Sequence, residues 1–301
     1  VLIFLIIRQI DLQDLAQKFR AGNISYLIPA LIILSASQVL IQAYRFHYII
    51  RNLDLKYSFS LEIYLIGLFF NNLLPTAVGG DIVRTHLLKK KSRITYSESV
   101  TYVALHRFSG LFSLFLLFGL FILIDFQDII NILADLSITL SRESILLVFL
   151  ALVVFIGIGL YFKSKVLSFL KIGIETIRQY SVLELLSTLG LALLFHSSTM
   201  AGMYLLVIFF NENIDFQYLI IVQTFSALAA LVPFSIGALG ILEGTIAGLF
   251  VFFGLTRLSA TGIALIYRVI LILFSVFGLL IMFLKESEYN TKDIFKIKED
   301  Q

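Results

Sequence analysis

The sequence predicts an all-α fold: a polytopic transmembrane helix bundle with two inverted repeats, each carrying a proline/glycine re-entrant hairpin. Three observations predict it. The 301-residue chain is 59% hydrophobic and 14% charged, with mean hydropathy +0.97; an ordinary soluble domain is about 45–50% apolar and about 25% charged. Its lysines and arginines gather in alternate connections between apolar runs. An apolar-Pro-x-x-x-Gly motif occurs twice.

The apolar excess is too large for one soluble core, which still needs a polar coat. A soluble globular enzyme, a disordered tail and a nucleic-acid-binding module are thereby excluded. The chain has no cysteine, so disulfides, thiolate nucleophiles and Cys-based zinc sites are excluded too. His47, His86, His106 and His196 show no metal-ligand spacing, and neither a phosphate-binding Walker loop nor a dinucleotide fingerprint occurs. No cofactor is expected.

Residues 1–7 are apolar but too few to span a bilayer, which takes about 20. They read as a helix cut short or as an interfacial segment. A signal peptide is not expected, because no basic start and no small-residue cleavage site occur. Apolar runs long enough to cross occur at residues 26–44, 99–124, 144–162, 182–210 and 258–284. Residues 61–74 and 218–232 are shorter, and each leads into a proline followed by glycine. That length and ending predict half-spanning segments.

Sixteen of the 23 basic residues fall in residues 45–58, 81–98, 163–181 and the tail after residue 284. The positive-inside rule places these in the cytoplasm, C-terminus included. Residues 61–80 must then enter the membrane and return to the inner side. Residues 217–257 must do so from the outer side. The whole chain, 1–301, reads as a single integral membrane domain, with a first repeat at 26–125 and a second at 183–284.

The hairpins resemble each other in sequence, both reading apolar-Pro-x-x-x-Gly. Leu74-Pro75-Thr76-Ala77-Val78-Gly79-Gly80-Asp81 matches Val232-Pro233-Phe234-Ser235-Ile236-Gly237-Ala238-Leu239-Gly240, and an intramembrane arginine follows each, Arg107 and Arg268. Opposed repeats with interrupted segments mark a transporter site near the midplane. Proline removes a backbone donor and glycine permits positive φ, and backbone unwound in hydrocarbon must line a cavity or be buried in protein. Two half-helix N-termini meeting there would cradle an anion such as phosphate.

The candidate substrate-binding residues are Arg84, Arg107, Arg268, Asp81, Glu243, Asn72, Pro75, Gly79, Gly80, Pro233, Gly237 and Gly240. Arg268 stands ten residues into its span, about 15 Å deep, where leaving it costs about 2.5–3.5 kcal/mol. Thr261, Ala264, Arg268, Ser275 and Gly278 share a helix face, which should turn to the bundle interior. Arg84, Arg107 and Arg268 would hold a phosphate. Asp81 suits a helix N-cap, Glu243 the first turn of a half-helix, and either could bind a cationic headgroup. Asn71 and Asn72 can bond freed backbone.

At these residues the chain resembles the transmembrane region of lysylphosphatidylglycerol synthases, a flippase-like family of bacterial and archaeal membrane proteins. The resemblance rests on Asn71-Asn72-Leu73-Leu74-Pro75, Gly79-Gly80-Asp81-Ile82-Val83-Arg84, His106-Arg107, Val232-Pro233, Gly240-Ile241-Leu242-Glu243-Gly244 and Tyr267-Arg268. His106 and Ala238 depart from the usual pattern. The resemblance implies a cytoplasmic-membrane lipid translocase without the soluble synthase domain. Its partner would be an anionic or aminoacylated phospholipid, with a separate synthase as a further partner. The alternatives are a membrane-embedded aminoacyl or glycosyl transferase, and a scaffold for such a synthase.

Overall fold

The computed structural model describes residues 12–74, 79–124, 171, 174–230 and 238–285. The expected span at 144–162, residues 1–7, the charged tail, and Pro75, Pro233 and Gly237 lie outside the described residues. Helices and turns make up what is described, with no strand among those residues. The helices are α1 (Leu12–Ala21), α2 (Ile24–Ser35), α3 (Gln42–Ile49), α4 (Tyr57–Leu73) and α5 (Gly79–Lys91). They continue with α6 (Tyr96–Ile124), α7 (Val182–Phe209), α8 (Tyr218–Ala229), α9 (Ile241–Phe252) and α10 (Arg257–Leu284).

Four helical stretches are long and apolar enough to cross a membrane: Ile24–Ile49, Tyr96–Leu123, Val182–Phe209 and Arg257–Leu284. They match four of the five expected spans. Their outward faces carry large apolar side chains, among them Ile28, Ile32, Phe108, Leu123 and Phe283, a surface that fits lipid rather than water. The protein is therefore a multi-pass membrane protein.

The first of these stretches is not one regular α-helix. Between α2 and α3, residues Ala36–Ile41 form a π-helical segment. Such wide turns recur at functional sites. Here the segment buries Ser37 and Gln38, and Gln38 Nε2 donates to the Tyr267 hydroxyl on α10 at 2.8 Å.

Side-chain contacts identify the two ends of the bundle. At one end Arg51 pairs with Glu184, the Tyr180 hydroxyl donates to the Ile49 carbonyl, and Lys285 meets Glu62 at 2.6 Å. Lys56 and Lys91 line a pocket with Lys285 there. At the far end Lys18 pairs with Glu212 at 3.3 Å, and Thr256 Oγ1 donates to the same carboxylate at 2.6 Å. α4 begins and α5 finishes at the basic end. α8 begins and α9 finishes at the far end. α8 and α9 have 12 residues each, about 18 Å of helix, too little to cross a core of about 30 Å.

Packing within the bundle relies on small residues, as expected where lipid is as apolar as the interior. Ser259, Thr261, Ala264, Arg268, Ser275 and Gly278 of α10 are all buried, so the predicted polar stripe does face inward. α10 packs along α4 and α9, while α2 packs along α7 and α6 packs on α5, α7 and α8.

Candidate functional site

α5 opens on Gly79-Gly80-Asp81 and packs on α4. The Gly80 amide donates to Asn71 Oδ1 at 2.8 Å. A Cβ on Gly80 would run into the Gly67 carbonyl and the Asn71 side chain. Only glycine lets the first turn of α5 lie this close on α4. Asp81 then sits in that turn, where the helix dipole favours an anion. Its carboxylate accepts from Arg107 Nη1 on α6 and lies 3.5 Å from Arg84 Nη1.

Arg84 is 5% exposed. Its guanidinium lies over the Tyr64 ring, 4.4 Å from the centroid, and Nη2 donates to the Tyr64 carbonyl at 3.3 Å. A further arginine joins from α3. Arg45, 2% exposed, donates through Nη2 to the His106 carbonyl at 3.0 Å. The same Nη2 lies 3.2 Å from His106 Nε2. His196 completes the wall: its Nε2 donates to the Gly110 carbonyl at 3.0 Å, leaving Nδ1 to face Gln223 Nε2 at 3.4 Å.

These side chains line an open cavity of about 230 Å³ between the helices, with Gln42, Tyr64, Asn71, Asp81 and the three arginines in its wall. Arg45 Nε and Nη1 and Arg84 Nε are buried without a hydrogen bond, Arg84 Nε beside Gly67 and Arg45 Nη1 beside Gly110. An orphaned buried donor costs about 1–3 kcal/mol, more for a charged group, so holding these two arginines here is expensive. Leu111 lines this cavity and also a larger apolar groove of about 700 Å³ between α6 and α7.

A second cluster lies between α9, α10 and α4. Gly240, at φ +85°, turns the chain into α9, a conformation that glycine adopts without strain. Its amide donates to Glu243 Oε2 at 2.7 Å. Glu243, 2% exposed, also accepts from Arg268 Nε. Arg268 reaches two more acceptors: Asn72 Oδ1 at 3.3 Å and the Ala238 carbonyl at 3.2 Å.

The two clusters share a plan. In each, a carboxylate in the first turn of a short helix pairs with an arginine from the following long helix, 26 residues later in one and 25 in the other. The sequence-predicted residues thus divide. Asp81, Arg84 and Arg107 meet at the cavity beside Gly79 and Gly80; Asn72, Gly240, Glu243 and Arg268 form the second cluster. Both carboxylates are engaged by arginines of this chain, and both helix N-termini hold a carboxylate of their own.

Arg45, His106, His196 and Tyr64 enter the cavity without having been predicted there. The charge count placed Arg45 in a cytoplasmic loop, whereas the structure buries it in the membrane-spanning stretch. The apolar run continues through Ile49 and Ile50, and Gln38, Gln42 and Arg45 recur at i, i+4 and i+7. That polar stripe on an apolar helix was the available signal.

The family model described as "Lysylphosphatidylglycerol synthase TM region" matches residues 1–278. No curated protein matches the chain.

Proposed function

As the chain belongs to the lysylphosphatidylglycerol synthase TM region family, we propose that it is a lipid translocase whose substrate headgroup binds in the arginine-lined cavity. The observation that carries this reading is the cavity itself. Arg45, Arg84 and Arg107 line it together with Asp81, inside a membrane protein, and Arg45 and Arg84 are buried. Charge placed within a membrane at such cost marks a substrate path by default.

α4–α5 and α8–α9 are read as re-entrant hairpins of two inverted repeats. The matched Asp81–Arg107 and Glu243–Arg268 pairs support this, as do the exchanged contacts, α10 against α4 and α6 against α8. The positive-inside rule puts the end with Arg51, Lys56, Lys91 and Lys285 in the cytoplasm. Acyl chains would lie in the α6–α7 groove, where Leu111 joins it to the cavity. Tilting of one repeat against the other would expose the headgroup to either leaflet.

The test is reconstitution. Purified protein in proteoliposomes should exchange headgroup-labelled anionic phospholipid between leaflets without chemical change. Arg45→Gln and Arg84→Gln should each slow exchange at least tenfold. A modified lipid product without leaflet exchange would replace the translocase with a transferase. Exchange only after adding a synthase would leave a scaffold.

A further inference from the structure

Resting on the translocase reading, we propose that Asp81 is an internal competitor for the headgroup phosphate. Before a headgroup binds, the Asp81 carboxylate holds the Arg107 guanidinium. An entering phosphate takes that place, and Asp81 turns to Arg84.

The two matched ion pairs differ in their surroundings. The side chains of Glu243 and Arg268 are 2% and 4% exposed. Those of Asp81 and Arg107 are 18% and 28% exposed, and both line the open cavity. A buried pair breaks at high cost, whereas a pair that solvent reaches contributes little and changes partners readily. The anchoring differs as well. Glu243 accepts from the Gly240 backbone amide at 2.7 Å through Oε2 and from Arg268 through Oε1, so a backbone bond fixes it in one place. Asp81 faces an arginine on each oxygen: Oδ2 accepts from Arg107, and Oδ1 lies 3.5 Å from Arg84 Nη1. That second distance is at the outer limit of a hydrogen bond, so it shortens to a full bond once Asp81 leaves Arg107. The first turn of α5 favours the carboxylate in either position, and the exchange strands no charge. Carboxylate and phosphate oxygens fit the same guanidinium fork, so the two anions compete for one place.

The experiment is a double-mutant cycle read by thermal unfolding in a phosphate-free, non-ionic detergent, without lipid and with saturating phosphatidylglycerol. Without lipid, Asp81→Asn and Arg107→Gln should each lower the midpoint by about 2–4 °C, and the double variant by less than their sum. With lipid, that coupling should vanish and Asp81→Asn should be at least as stable as wild type. A parallel cycle on Glu243→Gln and Arg268→Leu should stay coupled in both states. If Arg107→Gln does not fold, Asp81→Asn decides alone: an equal deficit with and without lipid overturns the proposal, as does failure of Asp81→Asn to fold even with lipid present. Coupling undiminished by a lipid that stabilises wild type overturns the competitor and leaves the translocase reading standing. No stabilisation of wild type by the lipid overturns both. Inorganic phosphate abolishing the coupling at the same concentration supports the exchange of anions and overturns the lipid reading.

Discussion

Asn71 and Asn72 are consecutive on α4, yet each serves a different cluster. Asn71 accepts from the Gly80 amide at 2.8 Å, and Asn72 accepts from Arg268 Nη1 at 3.3 Å. The last turn of α4 therefore ties the cavity to the Glu243–Arg268 ion pair. Asn72→Ala should leave anionic phospholipid binding within about twofold of wild type while slowing leaflet exchange. Parallel binding and exchange assays check this, and equal loss in both would make Asn72 part of the binding site.

Glu243 and Arg268 form a pair that is almost entirely buried. Removing one member leaves the other charged in a medium that does not solvate it, at about 3–5 kcal/mol. Glu243→Gln and Arg268→Leu should each lower the unfolding midpoint in detergent. The double variant should lie closer to wild type than the sum of the two. Additive losses would mean that the residues do not interact energetically.

Asp81 is the one carboxylate facing three arginines in the described cavity wall. Asp81→Asn adds one net positive charge there. Anionic phospholipid binding should tighten about tenfold, the order expected of one charge a few ångströms away in a partly screened site. Exchange should slow, because a headgroup held more tightly is released more slowly. Titration and exchange rates on the same variant check both.

Gly80 touches α4 where a side chain cannot fit. Gly80→Ala must push α5 off the Gly67 carbonyl. A cost of about 1–3 kcal/mol is expected for such overpacking, read as a lower unfolding midpoint. Gly248, which has open space around it, should accept alanine without loss and serves as the control.

At the far end, burial alone would raise the pKa of Glu212. Hydrogen bonds from Ser259, Thr256 and Lys18 outweigh burial and hold it below the usual carboxylate range. A depressed native pKa adds stability above the unfolded value, about 4.3, and that stability is lost as pH falls through the native value. Acidification below about pH 4 should thus loosen α1 from α10, seen as faster hydrogen exchange over residues 12–21. Glu212→Gln should flatten that pH dependence.

How much of this was legible in the sequence depends on the range of the interaction. The spanning helices were legible because 18 or more apolar residues have one common use. The inward stripe of α10 was legible because Thr261, Ala264, Arg268, Ser275 and Gly278 follow helical spacing. Arg45 was misplaced because a charge count treats every arginine near a span as a loop residue. The Asp81–Arg107 and Glu243–Arg268 pairs join residues on different helices, and sequence reasoning assigned all four to ligand rather than to each other. The near-equal spacing of the two pairs was visible, but only the packing of α5 on α6 and of α9 on α10 gives it meaning.

The π-helical segment Ala36–Ile41 sets the rotational phase of every later residue in the same span. Each residue added to or removed from a helix turns its downstream part by about 100°. The wide turn already takes up one residue more than an α-turn, so a single deletion there would close it to regular α-helix, whereas one further inserted residue would swing Arg45 from the cavity wall toward hydrocarbon, against about 2.5–3.5 kcal/mol, and would carry Gln42 with it. The chain can exchange side chains along this helix far more freely than it can lengthen it. Added length, at this one place, is as tightly constrained as any charged residue of the cavity.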